Sequence, residues 1–371
     1  MGTILLHAAA ACRKASPDAG QGRTPHCMSE DHSHEAAFAL SAVRAGGRLA
    51  RQVQQDHAGQ AELKADLSPV TVADYAVQAL IASQLQQAFR EDRLVAEEGS
   101  EVLRRPEQHE MLAAVRGWLE PVCGSLDDDQ VYAWIDLGSG EPGERFWTLD
   151  PVDGTKGFLR REQYAVALAL IERGVVVLGA LACPNLGIDG LPNQAGCAAL
   201  AIRGQGAWIE SLQGGARRPL RVSAREQPAE ARVLRSVESG HTDPAGMEAL
   251  LSDLGITTPP VLMDSQAKYV ALAAGAGDLI IRLVSPDRPD YREWIWDQAA
   301  GSLLVTEAGG QVSDLAGAEL DFSQGRRLEA NRGVLASNGR LHASALRALQ
   351  RVGVDRPRDK RADDPVTGRF G

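Results

Sequence analysis

A short acidic segment near the middle of the chain constrains its fold and chemistry more than any other feature. An apolar run ends at Asp150, and Pro151-Val152-Asp153-Gly154-Thr155 follows directly. Proline fixes the turn and glycine permits a tight backbone, so the segment can aim two carboxylates and one backbone carbonyl at a single point. Mg²⁺ prefers such oxygen ligands. By itself, the pattern also fits an ordinary acidic turn.

Three other acidic positions also stand at predicted element ends. Asp297 is placed at the N-cap of a strong helical pattern, Glu97 follows a short strand, and Asp74 stands at the predicted head of a helix. Taken singly, each is equally well explained as a helix cap or a solvated turn. Their combination and order along the chain carry the argument.

Composition excludes some functions and leaves room for a metal. The 371 residues are 44% hydrophobic with a net charge of −10, so a core can form but nonspecific nucleic-acid binding is not expected. A divalent metal held by carboxylates would reconcile an acidic chain with an anionic ligand. No apolar run reaches the roughly 20 residues of a membrane helix, so no membrane partner is predicted.

The termini and cysteines give weaker indications. Residues 1–33 are predicted to be a disordered or mis-assigned leader, with Met28 as another possible start and organelle targeting as the alternative. Residues 354–371 are predicted to be a disordered tail. The five cysteines form no CxxC pair, which favours reduced thiols and a cytoplasmic location.

Hydrophobic periodicity predicts an α+β first domain over 34–213 and an α/β second domain over 214–353, with the junction near 211–230. Residues 64–73 are interpreted as a loop, and Leu126-Asp127-Asp128-Asp129 as a solvated loop or a lid. Helices are predicted over 35–55, 74–89, part of 101–130, 244–254, 266–274 and 298–308. Strands are predicted over 94–96, 131–136, 145–149, 164–171, 175–182, 197–202, 206–210, 232–236, 260–262, 278–283 and 311–313.

Four motifs occur together in a fixed order along the chain. They are Lys64-Ala-Asp66-Leu-Ser68-Pro-Val-Thr71 before Asp74, Val95-Ala-Glu97-Glu98-Gly99, Asp150-Pro-Val-Asp153-Gly-Thr155, and Trp296-Asp297-Gln-Ala-Ala-Gly301 with Glu307-Ala-Gly-Gly310. With this set, over about residues 35–345, the chain resembles the lithium-sensitive, magnesium-dependent phosphatase superfamily that includes inositol monophosphatase. The resemblance implies a layered αβαβα sandwich.

The resemblance also implies roles for residues at the matching positions. Glu97, Asp150, Asp153 and the Val152 carbonyl would hold a first Mg²⁺. Asp150, Asp153 and Asp297 would share further ions, giving two or three in all. Asp74 and Thr155 would orient and activate the attacking water.

Within this superfamily, the chain is most similar to the 3′(2′),5′-bisphosphate nucleotidase branch. The segments that carry this are Thr155-Lys-Gly-Phe158, Glu238-Ser-Gly-His241, Asp264-Ser265-Gln-Ala-Lys268 and Tyr291-Arg-Glu-x-Ile-Trp-Asp297. The implied activity is hydrolysis of the 3′-phosphate of adenosine 3′,5′-bisphosphate to AMP and phosphate, with 3′-phosphoadenylyl sulfate as a candidate second substrate. The expected substrate contacts are Gly154, Thr155, His241, Ser265, Lys268, Arg282 and Asp297.

Several alternatives stay open at this point. Lys268 could be a solvated helix residue, and Arg282 could pair with Asp287 instead of binding a second phosphate. The scaffold could serve an inositol or sugar phosphatase, or a non-catalytic nucleotide sensor, although a sensor would be expected to have lost some of the acids. His57, His109 and His342 are interpreted as surface residues, and the chain as a monomer or homodimer.

Overall fold

The computed structural model describes residues 32–56, 69–189, 196–237 and 243–356, which fold into helices and two β-sheets. Nearly all of the predicted leader and tail lies outside these residues. The described helices are α1 (Ser33–Asp56), α2 (Pro69–Ala88), α3 (His109–Cys123), α4 (Asp128–Asp136), α5 (Thr155–Arg160), α6 (Pro244–Asp253), α7 (Ala267–Ala273), α8 (Ala299–Glu307) and α9 (His342–Val352). The described strands are β1 (Arg93–Ala96), β2 (Arg145–Asp153), β3 (Ala165–Glu172), β4 (Val175–Cys183), β5 (Cys197–Ile202), β6 (Gly206–Ser211), β7 (Arg218–Pro219), β8 (Val233–Arg235), β9 (Val261–Leu262), β10 (Leu279–Arg282), β11 (Gln311–Ser313) and β12 (Val334–Ser337).

The first sheet runs in sequence order from β1 to β7. Its strands are antiparallel except for β1, which pairs in parallel with β2. Short turns account for this order, because neighbouring apolar runs joined by a few residues pair as hairpins. The parallel pair at the edge brings the end of β1, where Glu97 follows, beside the acidic end of β2.

The second sheet has the order β11-β12-β10-β8-β9. The three strands β9, β8 and β10 are parallel to one another. On the other side of β10, β12 pairs with it antiparallel, and β11 pairs antiparallel with β12. Parallel strands need crossover helices, and α6 and α7 supply them. The carboxyl ends of β8 and β10 therefore lie at one edge of this sheet, where ligands of open α/β sheets commonly bind.

Three hydrophobic clusters define the layers. The first joins α1 and α2 to one face of the first sheet, and the second fills the space between the sheets around α7 and α8. The third packs α6 and α9 against the outer face of the second sheet. The order is helix, sheet, helix, sheet, helix, so the predicted αβαβα sandwich is confirmed.

Two local predictions about helices were wrong. The helix predicted to start at Asp74 begins at Pro69, because proline suits the first turn of a helix, so Asp74 lies inside α2. The strand predicted over 131–136 belongs to α4, whose N-cap Asp127 accepts a hydrogen bond from the Gln130 amide. The aspartates interpreted as a loop or lid therefore cap and begin a helix.

His342 was also placed wrongly as a surface residue. It is 1% exposed, and its Nε2 and Nδ1 atoms each lie 2.9 Å from a serine hydroxyl, those of Ser313 and Ser337. Burial lowers the pKa of His342 to about 4, so both serines hold a neutral ring. His109 is exposed as predicted, and His57 lies outside the described residues.

Two further features bear on the sequence predictions. Of the cysteines in the described part of the chain, Cys123, Cys183 and Cys197 are free thiols. No described helix is both long enough and apolar enough to cross a bilayer. The predicted domain boundary near residue 213 falls in the loop between β6 and β7. The division into two domains stays a prediction.

Candidate active site

A β-bulge at the end of β2 turns both of its aspartates toward the same side. Asp150 lies opposite Ala167 of β3 and Asp153 lies opposite Ala165, so three residue steps on β2 face two steps on β3. Without the extra residue, side chains three positions apart would point to opposite faces of the sheet. Ala165 and Ala167 both contribute to the cluster between the sheets, which places the two carboxylates on that side.

The backbone after the bulge brings this segment against the second half of the chain. Gly154 has φ = 92°, a left-handed conformation that favours glycine, and a Cβ there would lie 2.8 Å from Cβ of Ser265. Thr155 then begins α5 and is exposed on the cavity side. The glycine thus permits both the sharp turn and the close approach of the two segments.

Helix α2 and the end of β1 supply further acids. Asp74 is 7% exposed, and Glu97 and Glu98 follow β1 directly. Gln78, one turn after Asp74, holds this loop: its amide nitrogen donates to the Glu98 carbonyl at 2.6 Å, and its oxygen accepts from the Glu98 amide at 3.1 Å. The loop after β1 is therefore fixed to the same helix that carries Asp74.

Asp297 comes from the segment that leads into α8. The helix begins at Ala299, and the cap position is occupied by Gln298 without a side-chain cap bond, so the prediction that Asp297 is the N-cap was wrong by one residue. Gln266 positions this segment instead. Its side chain donates to the Trp296 carbonyl at 2.9 Å and accepts from the Gly301 amide at 3.0 Å.

The same glutamine also reaches the β2 bulge. The backbone amide of Gln266 donates to Oδ2 of Asp153 at 2.5 Å. Gln266 is 2% exposed, so these bonds are shielded from water. One residue therefore ties Asp153 to the segment that carries Asp297.

The acids form one electrostatic cluster. Burial is the largest cause that raises the pKa of Asp150 and of Asp297 well above the ordinary aspartate range, and the neighbouring carboxylates add repulsion. Burial and repulsion from Glu98 and Glu97 raise the pKa of Asp74 in the same way. Burial also raises the pKa of Asp153, but the charge of Lys268 and the hydrogen bond from Gln266 lower it.

Glu97 is the exposed member of this cluster. Burial of its carboxyl group, then repulsion from Glu98 and Asp153, raises its pKa to about 7. The residue as a whole is exposed, so solvent screens part of this repulsion. A hydrogen bond to Asp150 acts against the shift.

The chemistry of this donor set fits a hard cation. Oδ1 of Asp150 is buried without a hydrogen-bond partner, and ionised carboxylates held this close would repel one another unless a cation joined them. No group of three acidic, histidine or cysteine side chains in the described part of the chain converges tightly enough to enclose an ion as it stands.

A cavity of 390 Å³ opens beside the acids and contains most of the predicted substrate residues. Its lining includes Asp153, Gly154, Thr155, Ser265, Lys268, Arg282 and Asp297. Ser265 has φ = 65°, and its hydroxyl accepts from the Ala267 amide at 3.1 Å. His241 lies outside the described residues, and no hydrogen bond joins Asp74 to Thr155 in the part of the chain that the structure describes.

The two predicted cations are held in different ways. Lys268 is 2% exposed and donates to Ser236 Oγ and to the Met263 carbonyl, both at 3.1 Å, which excludes the solvated alternative. Burial, then repulsion from Arg282, lowers its pKa to about 8. Arg282 pairs bidentately with Glu293, at 2.8 and 3.1 Å, and not with Asp287.

Sequence reasoning missed the residues that position these groups. Gln78, Gln266 and Glu293 carry no motif of their own, although two of them lie inside quoted segments. Arg326 was also missed: it donates to the Ala96 carbonyl at 2.6 Å and lies over the Trp296 ring at 5.0 Å. It links the end of β1 to the segment before Asp297, and no local pattern could have indicated a contact over that separation.

Comparisons with known proteins agree with this geometry. The chain matches the model of the inositol monophosphatase family over residues 30–353. A 3′(2′),5′-bisphosphate nucleotidase from Oryza sativa is 43% identical, covering 86% of this chain and 94% of its own, and one from Emericella nidulans is 39% identical, covering 86% and 99%. The solved inositol monophosphatase from Anabaena (Nostoc) sp. PCC 7120 has a TM-score of 0.56 at 20% identity, covering 87% and 97%, and shows the shared fold.

These findings define the class of protein first: a phosphoric monoester hydrolase built on the αβαβα sandwich. The chain belongs to the inositol monophosphatase family. The predicted fold, family and enzyme class are thereby confirmed.

Proposed function

We propose that this enzyme hydrolyses the 3′-phosphate of adenosine 3′,5′-bisphosphate, giving AMP and phosphate, with Mg²⁺ as its metal. One observation carries the proposal: a single cavity has the carboxylates of Asp153 and Asp297 on its wall together with the cations Lys268 and Arg282. An inositol monophosphate would need the acids but not two cations beside them, of which Lys268 is buried and Arg282 half-buried. The similarity to curated bisphosphate nucleotidases supports the same substrate.

In this proposal, Glu97, Asp150, the Val152 carbonyl, Asp153 and Asp297 hold two or three Mg²⁺ ions. Bound Mg²⁺ neutralises phosphate charge and makes water a better nucleophile near neutral pH. The raised pKa values of Asp150 and Asp297 support a cation there, since without one these two carboxyl groups favour the protonated form. Loading of the site is then expected to release protons.

The remaining residues manage the water and the substrate. Asp74 is the proposed proton acceptor for the attacking water, and its raised pKa makes it a stronger base than a solvated aspartate. Thr155, on the cavity wall, is proposed to orient that water through its hydroxyl. In this step the water oxygen bonds to phosphorus while the bond between phosphorus and the 3′-oxygen breaks. One water proton passes to Asp74, and the 3′-oxygen takes a proton from solvent and leaves as a hydroxyl.

The second phosphate is not cleaved and must be bound by cations. Lys268 and Arg282 are proposed to contribute positive potential, with Ser265, Gly154 and His241 as further contacts. The sulfated analogue 3′-phosphoadenylyl sulfate carries the same 3′-phosphate and is proposed as a second substrate. Lithium is proposed to inhibit by competing at the magnesium site.

Phosphate release tests the proposal directly. With Mg²⁺ present, adenosine 3′,5′-bisphosphate, inositol 1-phosphate and fructose 1,6-bisphosphate are compared at equal concentration. We expect a strong preference for the nucleotide and inhibition by lithium. Preference for the inositol or sugar phosphate would remove the nucleotide assignment but keep the metal mechanism, and no release from any of the three would favour a nucleotide sensor.

A further inference from the structure

A third cation, Arg235, lines the same cavity and is unlike the other two. Lys268 already donates to Ser236 and Met263, and Arg282 already pairs with Glu293. Within residues 32–56, 69–189, 196–237 and 243–356, the half-buried Arg235 side chain makes no hydrogen bond, ion pair or ring contact. A guanidinium without a partner in a half-buried position is costly unless a ligand satisfies it.

The backbone of Arg235 is firmly held. It is the last residue of β8, between the parallel strands β9 and β10, and its carbonyl accepts from the Met263 amide at 2.8 Å. Leu234 pairs with Ile280 in the parallel register, and Arg235 and Ile281 each follow one residue after this pair and line the cavity. The side chain is therefore presented from a fixed position at the carboxyl end of the sheet.

Arg235 and Arg282 reach the cavity from different sides of that sheet. Ile280, two residues before Arg282, belongs to the cluster between the sheets, whereas Val233, two residues before Arg235, belongs to the outer cluster around α6 and α9. Because strand side chains alternate, each arginine shares the side of the residue two positions before it. Arg282 therefore faces the acids, and Arg235 approaches from the far side.

We propose that Arg235 binds the uncleaved phosphate of the substrate and so sets the preference for a nucleoside bisphosphate over a monophosphate. This inference rests on the proposed function and deepens it. With one phosphate at the acids, a second anionic group across the cavity would meet a guanidinium that has no bond to give up to any residue the structure describes. Arginine suits this role because its planar group can donate two parallel hydrogen bonds to phosphate.

The test compares two substrates that differ only in the second phosphate. Adenosine 3′,5′-bisphosphate and adenosine 3′-monophosphate are hydrolysed by the unmodified enzyme and by Arg235→Met. We expect kcat/KM for the bisphosphate to fall by about 10- to 100-fold, as for loss of a hydrogen bond to a charged group, and kcat/KM for the monophosphate to stay within about twofold. Arg235→Lys keeps the charge without the paired donors and should recover part of the loss.

A matched control separates this contact from a general change in charge. Arg347 is exposed on α9, and among the described residues its side chain bonds only within its own helix, to Ser344. Arg347→Met removes the same charge and should leave both substrates unaffected. Equal losses on the two substrates with Arg235→Met, or no loss on either, would overturn the inference.

Binding of the product keeps the test independent of turnover. Calorimetry measures the affinity of AMP, which retains the 5′-phosphate, and of adenosine, which lacks it. Arg235→Met should weaken AMP binding by about 10- to 100-fold and leave adenosine binding unchanged. An unmodified enzyme that fails to cleave the bisphosphate would sink the proposed function alone, whereas unchanged AMP binding by Arg235→Met would sink this inference alone.

Discussion

Replacing Gln266 by methionine should weaken metal binding and stability together. Methionine preserves the approximate size of the side chain but removes both amide bonds, to the Trp296 carbonyl and from the Gly301 amide. The backbone bond from Gln266 to Asp153 is retained. The change therefore isolates the link between α7 and the segment around Asp297.

The magnitude follows from what the two lost bonds leave behind. Gln266 is 2% exposed, so water has little access to the two backbone groups it satisfies. Each unsatisfied buried group costs about 1–3 kcal/mol, so the two groups together give a loss of about 2–6 kcal/mol in the free energy of unfolding. Because Trp296 and Gly301 flank Asp297, the Mg²⁺ concentration for half-maximal activity should rise by about tenfold or more.

The assay needs a control that loses comparable bonds elsewhere. Asn331 is 4% exposed; its amide donates to the Glu319 carbonyl at 2.9 Å and its oxygen accepts from the Asp321 amide at 2.8 Å. It does not line the cavity. Urea unfolding and Mg²⁺ titration of activity are run on Gln266→Met and Asn331→Leu. Both should lose stability, but only Gln266→Met should need more Mg²⁺; the same Mg²⁺ requirement in both variants would refute the positioning role.

Three further outcomes follow. Asp150→Asn should abolish turnover yet raise the melting temperature of the metal-free protein near pH 7, because the raised pKa of Asp150 means that its ionised form costs stability as pH rises; near-normal turnover would remove it from the metal site. KM for the bisphosphate, measured from pH 7 to 9.5, should rise above about pH 8 as Lys268 loses its proton, and Lys268→Met should flatten this rise. Because the pKa of Lys268 in the folded protein, about 8, lies below its ordinary value of 10.5, this residue makes the free energy of unfolding increase between pH 8 and pH 10.5. His342 should make the free energy of unfolding decrease by about 3 kcal/mol as pH falls from 6.5 to about 4, because in that range only the unfolded chain takes up the proton. Urea titrations at several pH values measure this, and a His342→Gln variant with the same pH dependence would contradict it.

Elements with a clear period were predictable from the sequence. The β3–β4 hairpin, α1, α6 and the parallel strands of the second sheet lie where alternation or helical spacing placed them. The helix α4 was missed because its short apolar face, Val131 and Ile135, does not reveal its period, and only the capping bond of Asp127 identifies its start. Short elements such as α5 depend on tertiary contacts, so their sequences carry little signal.

The candidate site divides in the same way. The acids could be predicted because each follows an element end in a recurring motif, and the bulge after Asp150 is encoded by its own Pro and Gly. Gln266 could not, since its partners Asp153 and Gly301 lie far away in the chain. Arg235 could not, since its role depends on the cavity that the fold forms around it. Arg282 shows the limit well: its partner was sought at a nearby aspartate, but the fold supplies Glu293.

The central claim is that these acids, loaded with Mg²⁺, remove one particular phosphate from a nucleoside bisphosphate. Phosphorus NMR of adenosine 3′,5′-bisphosphate, followed over time with metal-stripped enzyme before and after Mg²⁺ is added, tests this most directly. The account predicts no change before Mg²⁺, then loss of the 3′-phosphate signal, growth of inorganic phosphate and an intact 5′-phosphate signal. Loss of the 5′-phosphate, or equal turnover without Mg²⁺, would contradict it.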